Sequence, residues 1–175
     1  MLTEGSETPT FVLTNQNGDS VDLATLRGKA LMIYFYPKAN TPGCTQQTCL
    51  LNDIRRSKGL RPFKLNAKLS RASQRHTNAM TSHKFFAHGD FVGRIRATRY
   101  LSGAHGWTVG ENIAWGSWDY ATPASIVDGW MHSPPHRHNI LNGKFREIGI
   151  GVSRGAPVGG QDRAATYGTD FGTRY

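Results

Sequence analysis

The two thiols of this 175-residue chain, Cys44 and Cys49, are the first residues whose type and spacing suggest chemistry. Pro37 and Pro42-Gly43 interrupt the segment before them, and a helix is predicted to start near Thr41 to Thr45. A cysteine near a helix N-terminus meets free amides and the positive end of the helix dipole. Both stabilise the thiolate, which is the nucleophilic form. The C-x4-C spacing is too wide for a C-x-x-C redox pair, and two thiols alone are a poor zinc site. The other reactive side chains gather later. All seven His lie beyond residue 48, and three blocks stand out: FFAH (85–88), GENIAWG (110–116) and SPPHRHNIL (133–141).

The elements that must position these residues are partly legible. Residues 10–23 alternate apolar and polar around Asn17-Gly18, which predicts a hairpin. A short turn or helix over 24–29 and a strand over 30–36 should follow. Leu50, Leu51 and Ile54 share a helical face, and Gly59 stops that helix. Leu65, Leu69, Ala72, His76, Ala79, Met80 and His83 recur at helical spacing, so His76 and His83 are expected at the core or its boundary. Thr122-Pro123 is an N-cap with Pro at the first helical position, opening a helix that buries Ile126, Val127 and Trp130. Ile148, Ile150 and Val152 alternate with Gly149, Gly151 and Ser153, a strand pattern repeated around Tyr167, Thr169 and Phe171. Helices early and strands late predict a mixed domain with helices packed on a sheet.

The three blocks, with LLNDIRRSKGLRPFKLNAKLSRAS (50–73), FREIGIGV (145–152) and YGTDFGTR (167–174), resemble the bacterial branch of the CAP superfamily. That superfamily groups cysteine-rich secretory, antigen 5 and plant pathogenesis-related proteins. The resemblance covers 50–175 and implies a three-layer α/β/α sandwich with a central antiparallel sheet and a cleft. In many members the cleft carries two His and two Glu and can hold a divalent metal. His88 matches the first His, Glu111 the first Glu and His136 the second His, while the second Glu position falls at about Ser133. The resemblance thus implies His88, Glu111 and His136 as ligands of zinc or another divalent metal. Such a set leaves a coordination position open, at which a water could be activated, with Glu111 instead acting as a base. The implied role is a binding module for a lipid, cell-wall or protein ligand, with a metal-dependent hydrolase as the alternative.

YFYPKANTPGCTQQTC (34–49) is similar to the active-site stretch of Q-type, or bacterioferritin-comigratory, peroxiredoxins. The resemblance covers about 5–49 and implies the hairpin, strand and first helix turn of a thioredoxin-like fold. It implies a thiol peroxidase with Cys44 as the peroxidatic thiol, Thr41 orienting peroxide, Pro37 shielding the site and Cys49 resolving Cys44 as an intramolecular disulfide. Thioredoxin would be the reducing partner. A peroxiredoxin also needs an Arg and further strands and helices from later in its fold, and at residue 50 the sequence changes character. The chain therefore reads as a fusion of an incomplete fragment, 1–49, with a CAP domain, 50–175.

Charge follows the same division. The formal net charge is +9, and residues 1–48 hold four acids and three bases, against eight acids and eighteen bases in 49–175. The bases are scattered rather than clustered, so composition gives no clear nucleic-acid signal. Arg94, Arg96 and Arg99 are expected to form a local surface patch. The four Trp are expected to pack, with Trp115 or Trp118 available to line a groove. No apolar run is long enough to span a membrane, and no secretory signal is legible in the first twenty residues, so a cytoplasmic location is expected although CAP relatives are mostly extracellular.

Overall fold

The computed structural model describes residues 11–14, 19–26, 28, 42–159 and 162–175. The chain divides into two compact units, Met1–Pro37 and Lys38–Tyr175. In the first, β1 (Val12–Thr14) pairs antiparallel with β2 (Ser20–Asp22) in the register Val12 to Asp22, as the alternation predicts. A 3-10 turn, Leu23–Leu26, follows. The strand expected over 30–36 lies outside the described residues.

The second unit opens with α1 (Pro42–Ser57), one continuous helix across the composition shift near residue 48. Its buried stripe repeats every fourth residue: Gln47, Leu51 and Arg55 are fully buried. A two-residue strand, β3 (Lys64–Leu65), precedes α2 (Ala67–His83). Asn66 caps α2 by accepting from the Lys68 and Leu69 amides at 2.9 and 3.3 Å. Then come α3 (Phe91–Ala97), β4 (Trp107–Ser117), α4 (Pro123–His132), α5 (Pro134–Leu141), β5 (Glu147–Arg154) and β6 (Ala164–Arg174). Thr122 caps α4, its hydroxyl accepting from the Ser125 amide, as expected of Thr-Pro.

The sheet runs β3-β5-β6-β4. It is antiparallel except for the short β3, which lies parallel to β5. One layer of helices, α1, α4 and α5, covers one face through Leu51, Ile126, Trp130, Ile140, Ile148 and Phe171. The other face meets α2 and α3 through Leu69, Ala72, Ile95 and Tyr100. The result is the expected three-layer α/β/α arrangement.

Glycines set the distance between α2 and the sheet. A Cβ on Gly149 would stand 2.1 Å from the Leu69 carbonyl carbon and the Ser70 amide nitrogen, and one on Gly151 would stand 2.4 Å from the Gln74 amide. The alternation of Ile with Gly in β5 therefore marks two covered faces: Ile148 and Ile150 enter the core, and the glycines seat a helix backbone. Of the two histidines expected on the apolar side of α2, His76 is buried, but His83 is exposed because the helix ends there.

Candidate functional site: a histidine pair across an edge strand

β4 is an edge strand of the sheet, and Glu111 sits in its middle, 2% exposed at the side chain. Sequence reading treated GENIAWG as a motif and did not make it a strand, because its polar residues are buried on both faces and no alternation survives. Glu111 and Asp170 are paired residues of β4 and β6, so their carboxyls share one face. Asn112, the next residue, points to the opposite face. It donates to the His136 carbonyl at 3.0 Å and accepts from Asn139 Nδ2 at 2.9 Å. Asn139 also donates to the Glu111 carbonyl at 3.3 Å. This amide bridge fixes α5 against β4 and so fixes His136 relative to Glu111.

His88 lies in the loop between α2 and α3, held by two bonds. His76 Nε2 meets the Ala87 carbonyl at 2.9 Å, and Arg94 donates to the His88 carbonyl at 2.7 Å. His88 Nδ1 is then 2.8 Å from Glu111 Oε1, and Arg94 donates to Glu111 Oε2 at 2.5 Å. Arg94 is thus drawn into the site, correcting the reading of Arg94, Arg96 and Arg99 as one surface patch; the latter two remain exposed. His136 Nδ1 is 2.8 Å from the hydroxyl of Ser133, the residue in the second Glu position. Each histidine therefore has its Nδ1 engaged and keeps Nε2 for something else.

The three-ligand set expected at His88, Glu111 and His136 does not form in this geometry. Both Glu111 oxygens are engaged, one by an imidazole and one by a guanidinium that neutralises the carboxylate. Among the described residues no group of three or more His, Cys, Asp or Glu is arranged to hold a metal ion. What the chain offers at the cleft is two imidazoles, each with its Nδ1 engaged.

Burial, and then the nearby His88, lower the pKa of His136. Burial is also the first cause of the lowering at His76. Both rings are kept neutral, so they withdraw stability as pH falls below about 6.5, where the unfolded chain takes up protons that the folded one refuses. Asp170, which sequence reading missed although it stands in YGTDFGTR, is 1% exposed. Neither of its oxygens has a protein donor among the described residues. Burial, then the charge of Glu111, push it well above the usual carboxylate range, while Arg94 pulls the other way and a hydrogen bond with Glu111 adds to the rise. Burial and the Glu111 charge both favour the protonated form of the Asp170 carboxyl, which faces Glu111 across the strand pair.

The sign of the Asp170 contribution follows. An acid whose folded pKa is raised gives stability that is present below about pH 4 and is lost as pH rises towards the folded value. In Asp170→Asn the side chain keeps its size and shape but cannot ionise. The urea midpoint of the variant should gain on that of the parent as pH rises from 4 to 9. Parallel curves would show that Asp170 ionises in the folded chain as it does in the unfolded one.

A cleft of about 280 Å³ adjoins His136 and Ser133, lined also by Ile113, Trp115, Tyr120 and Trp130. Trp115 thus lines a groove, as one of the two expected candidates. Trp118 is 58% exposed, with the Arg163 guanidinium 4.8 Å over its ring.

Of the residues expected to do thiol chemistry, Pro37 and Thr41 lie outside the described residues. Cys44 falls in the first turn of α1, and Cys49 is an exposed free thiol on the same helix. Five residues of α-helix rise about 7.5 Å. A disulfide requires Cα atoms within about 7 Å, so the implied Cys44–Cys49 bond cannot close while α1 is intact.

Residues 49–167 match the model of the cysteine-rich secretory protein family, CAP. Residues 5–84 match the AhpC/TSA family. Peroxiredoxin Bcp of Escherichia coli is 48% identical over 52 residues, covering 30% of this chain and 33% of that protein. The chloroplastic peroxiredoxin Q of Suaeda salsa is 46% identical over the same length, 30% of this chain and 24% of its own. The chain spans a third or less of the length of these relatives. Among solved structures, an outer surface protein from Borrelia burgdorferi aligns with TM-score 0.64 at 16% identity, over 80% of this chain and 98% of that one. An extracellular protein containing a SCP domain from Bacillus anthracis aligns with TM-score 0.59 at 24% identity, over 87% and 50%. No helix of the described residues is long and apolar enough to cross a membrane.

Proposed function

The chain belongs to the cysteine-rich secretory protein family through its CAP domain, and on that premise we propose that it is a binding module whose cleft holds a lipid or cell-wall ligand. One observation carries this reading. His88 and His136 have their Nδ1 atoms engaged by Glu111 and Ser133, and His136 borders an aromatic cleft. The cleft supplies faces for a ring or an apolar body, and Ser133 and the His136 Nε2 supply polar contacts at its margin. A hydrolytic role would need Glu111 as an available base, and Arg94 and His88 occupy both of its oxygens. The Bacillus anthracis relative is extracellular; the location of this chain is a proposal of the same kind, and a cell-wall ligand requires export.

A second reading rests on the peroxiredoxin-like segment. We carry it because Cys44 stands in the first turn of α1, where a thiolate is stabilised. Thioredoxin-coupled peroxide reduction through Cys44 and Cys49 is the activity it would give.

One preparation tests both. Imidazole and Trp115 indole NMR signals would be followed while soluble muropeptides, and separately phosphatidylglycerol vesicles, are added. Saturable shifts of His136 and Trp115 with one probe, abolished in Trp115→Ala, are the expected result; no shift with either sinks the binding reading. Peroxide consumption with a thioredoxin system is expected to be absent. Turnover lost in Cys44→Ser would instead make the chain a peroxidase.

A further inference from the structure

The bases of the second unit are not all scattered. Where β3, β5 and β6 meet, a groove of about 530 Å³ is lined by Arg61, Phe63, Lys64, Arg146, Glu147 and Arg174. Four cations there face one carboxylate, and that carboxylate is already engaged. Glu147 Oε1 accepts from Asn66 at 2.7 Å, and its Oε2 accepts from the Tyr100 hydroxyl at 2.6 Å. Arg174 is 3.8 Å away from the same oxygen.

The cations differ in how they are held. Arg146 uses only Nη1, on the carbonyls of Gly143 and Phe145. Arg174 is steadied over the Tyr100 ring at 5.0 Å and donates to the Tyr100 carbonyl at 3.3 Å. Arg61 and Lys64 are exposed, and neither side chain has a hydrogen-bond or ion-pair partner among the described residues. Beneath them lies Arg55, fully buried, bonded only to carbonyls and close enough to Arg146 for the two charges to repel. Among the described residues no carboxylate pairs with it, so its field adds to that of the groove.

From this geometry we propose that the groove is an anion site for a soluble molecule carrying adjacent phosphoryl groups. Guanidinium forks match tetrahedral oxyanions, and an ammonium beside them adds a movable point charge. The groove is larger than one phosphate needs, and its cations are spread over two strands, with Lys64 on β3 and Arg174 on β6, and two loops that carry Arg61 and Arg146. The site is separate from the histidine pair.

Titration calorimetry of the full chain with tripolyphosphate tests it, at low and at physiological salt. Arg61→Ala/Lys64→Ala should weaken binding by about tenfold or more, without unfolding, because neither side chain bonds to the protein. Arg71→Ala/Arg75→Ala removes the same charge from exposed positions on α2 and should change affinity by less than about twofold. Equal losses in the two double variants would reduce the effect to net charge and overturn the assignment. So would the absence of binding. Binding to phosphatidylglycerol vesicles that needs Arg61 and Lys64, with none to tripolyphosphate, would move the site to a lipid surface and overturn the soluble ligand.

Discussion

Arg55→Met is expected to destabilise the second unit by about 3 kcal/mol. The side chain is fully buried in α1 and lies 3.9 Å over the Phe63 ring. Its guanidinium donates to the carbonyls of Arg61 at 2.8 Å, Ile140 at 2.7 Å, Asn142 at 3.1 Å and Phe145 at 3.3 Å. One planar fork thus closes the end of α5 and the loop before β5 onto α1. Methionine fills much of the volume and removes the cost of a buried charge, which acts in its favour. It also strips donors from four carbonyls. Asn142 and Phe145 keep another donor each, the Phe145 amide and Arg146. Arg61 and Ile140 have no other donor among the described residues, and the orphaned pair decides the sign. Arg55→Lys should not rescue, since an ammonium has too few donors and no planar fork. Urea unfolding followed by the emission of buried Trp130 measures the effect. A loss below about 1 kcal/mol would mean that water satisfies the freed carbonyls.

Gly149→Ala should cost at least about 3 kcal/mol. The added methyl meets backbone atoms of Leu69 and Ser70, and neither can rotate away. Relief requires α2 to lift from the sheet, which would uncover Leu69 and Ala72 and loosen the loop that carries His88. Gly129→Ala supplies the contrast. Its Cβ meets nothing within 4 Å on α4, and replacing an exposed helical glycine should gain about 1 kcal/mol. Thermal unfolding of the two variants should therefore move in opposite directions. If Gly149→Ala unfolds with the parent, α2 does not rest on β5 as closely as described.

Local signals carried much of the fold. The Thr122-Pro123 start of α4, the spacing of Leu69, Ala72, His76 and Met80 on α2, and the alternation in β5 and β6 each depend on neighbours within a few residues. β4 was not legible as a strand because Glu111 and Asn112 face opposite ways and are both buried. Each is satisfied by a group distant in sequence. The same distance hid Arg94, whose spacing with Arg96 and Arg99 is that of a solvated patch and whose partner Glu111 arrives only with the folded sheet. His88, Glu111, His136 and Ser133 were found through resemblance to a family; nothing in their spacing nominates them. Asp170 leaves only an acid among small residues of a strand, and its meaning depends on the residue opposite.

The buried stripe of α1 serves both family matches, which share this helix. The two matches, 5–84 and 49–167, begin to overlap within α1, which is one continuous helix. A helix can change sequence character along its length when the turn count is preserved, because only the phase of the inward side chains must agree on the two sides. Gln47, Leu51 and Arg55 keep that phase. Chemistry is not matched in the same way: both ends of the Gln47 amide are buried without a partner among the described residues. Within this shared helix the geometry is continuous, and the Gln47 amide, one turn before Leu51, stays an unanswered hydrogen-bonding group among the described residues.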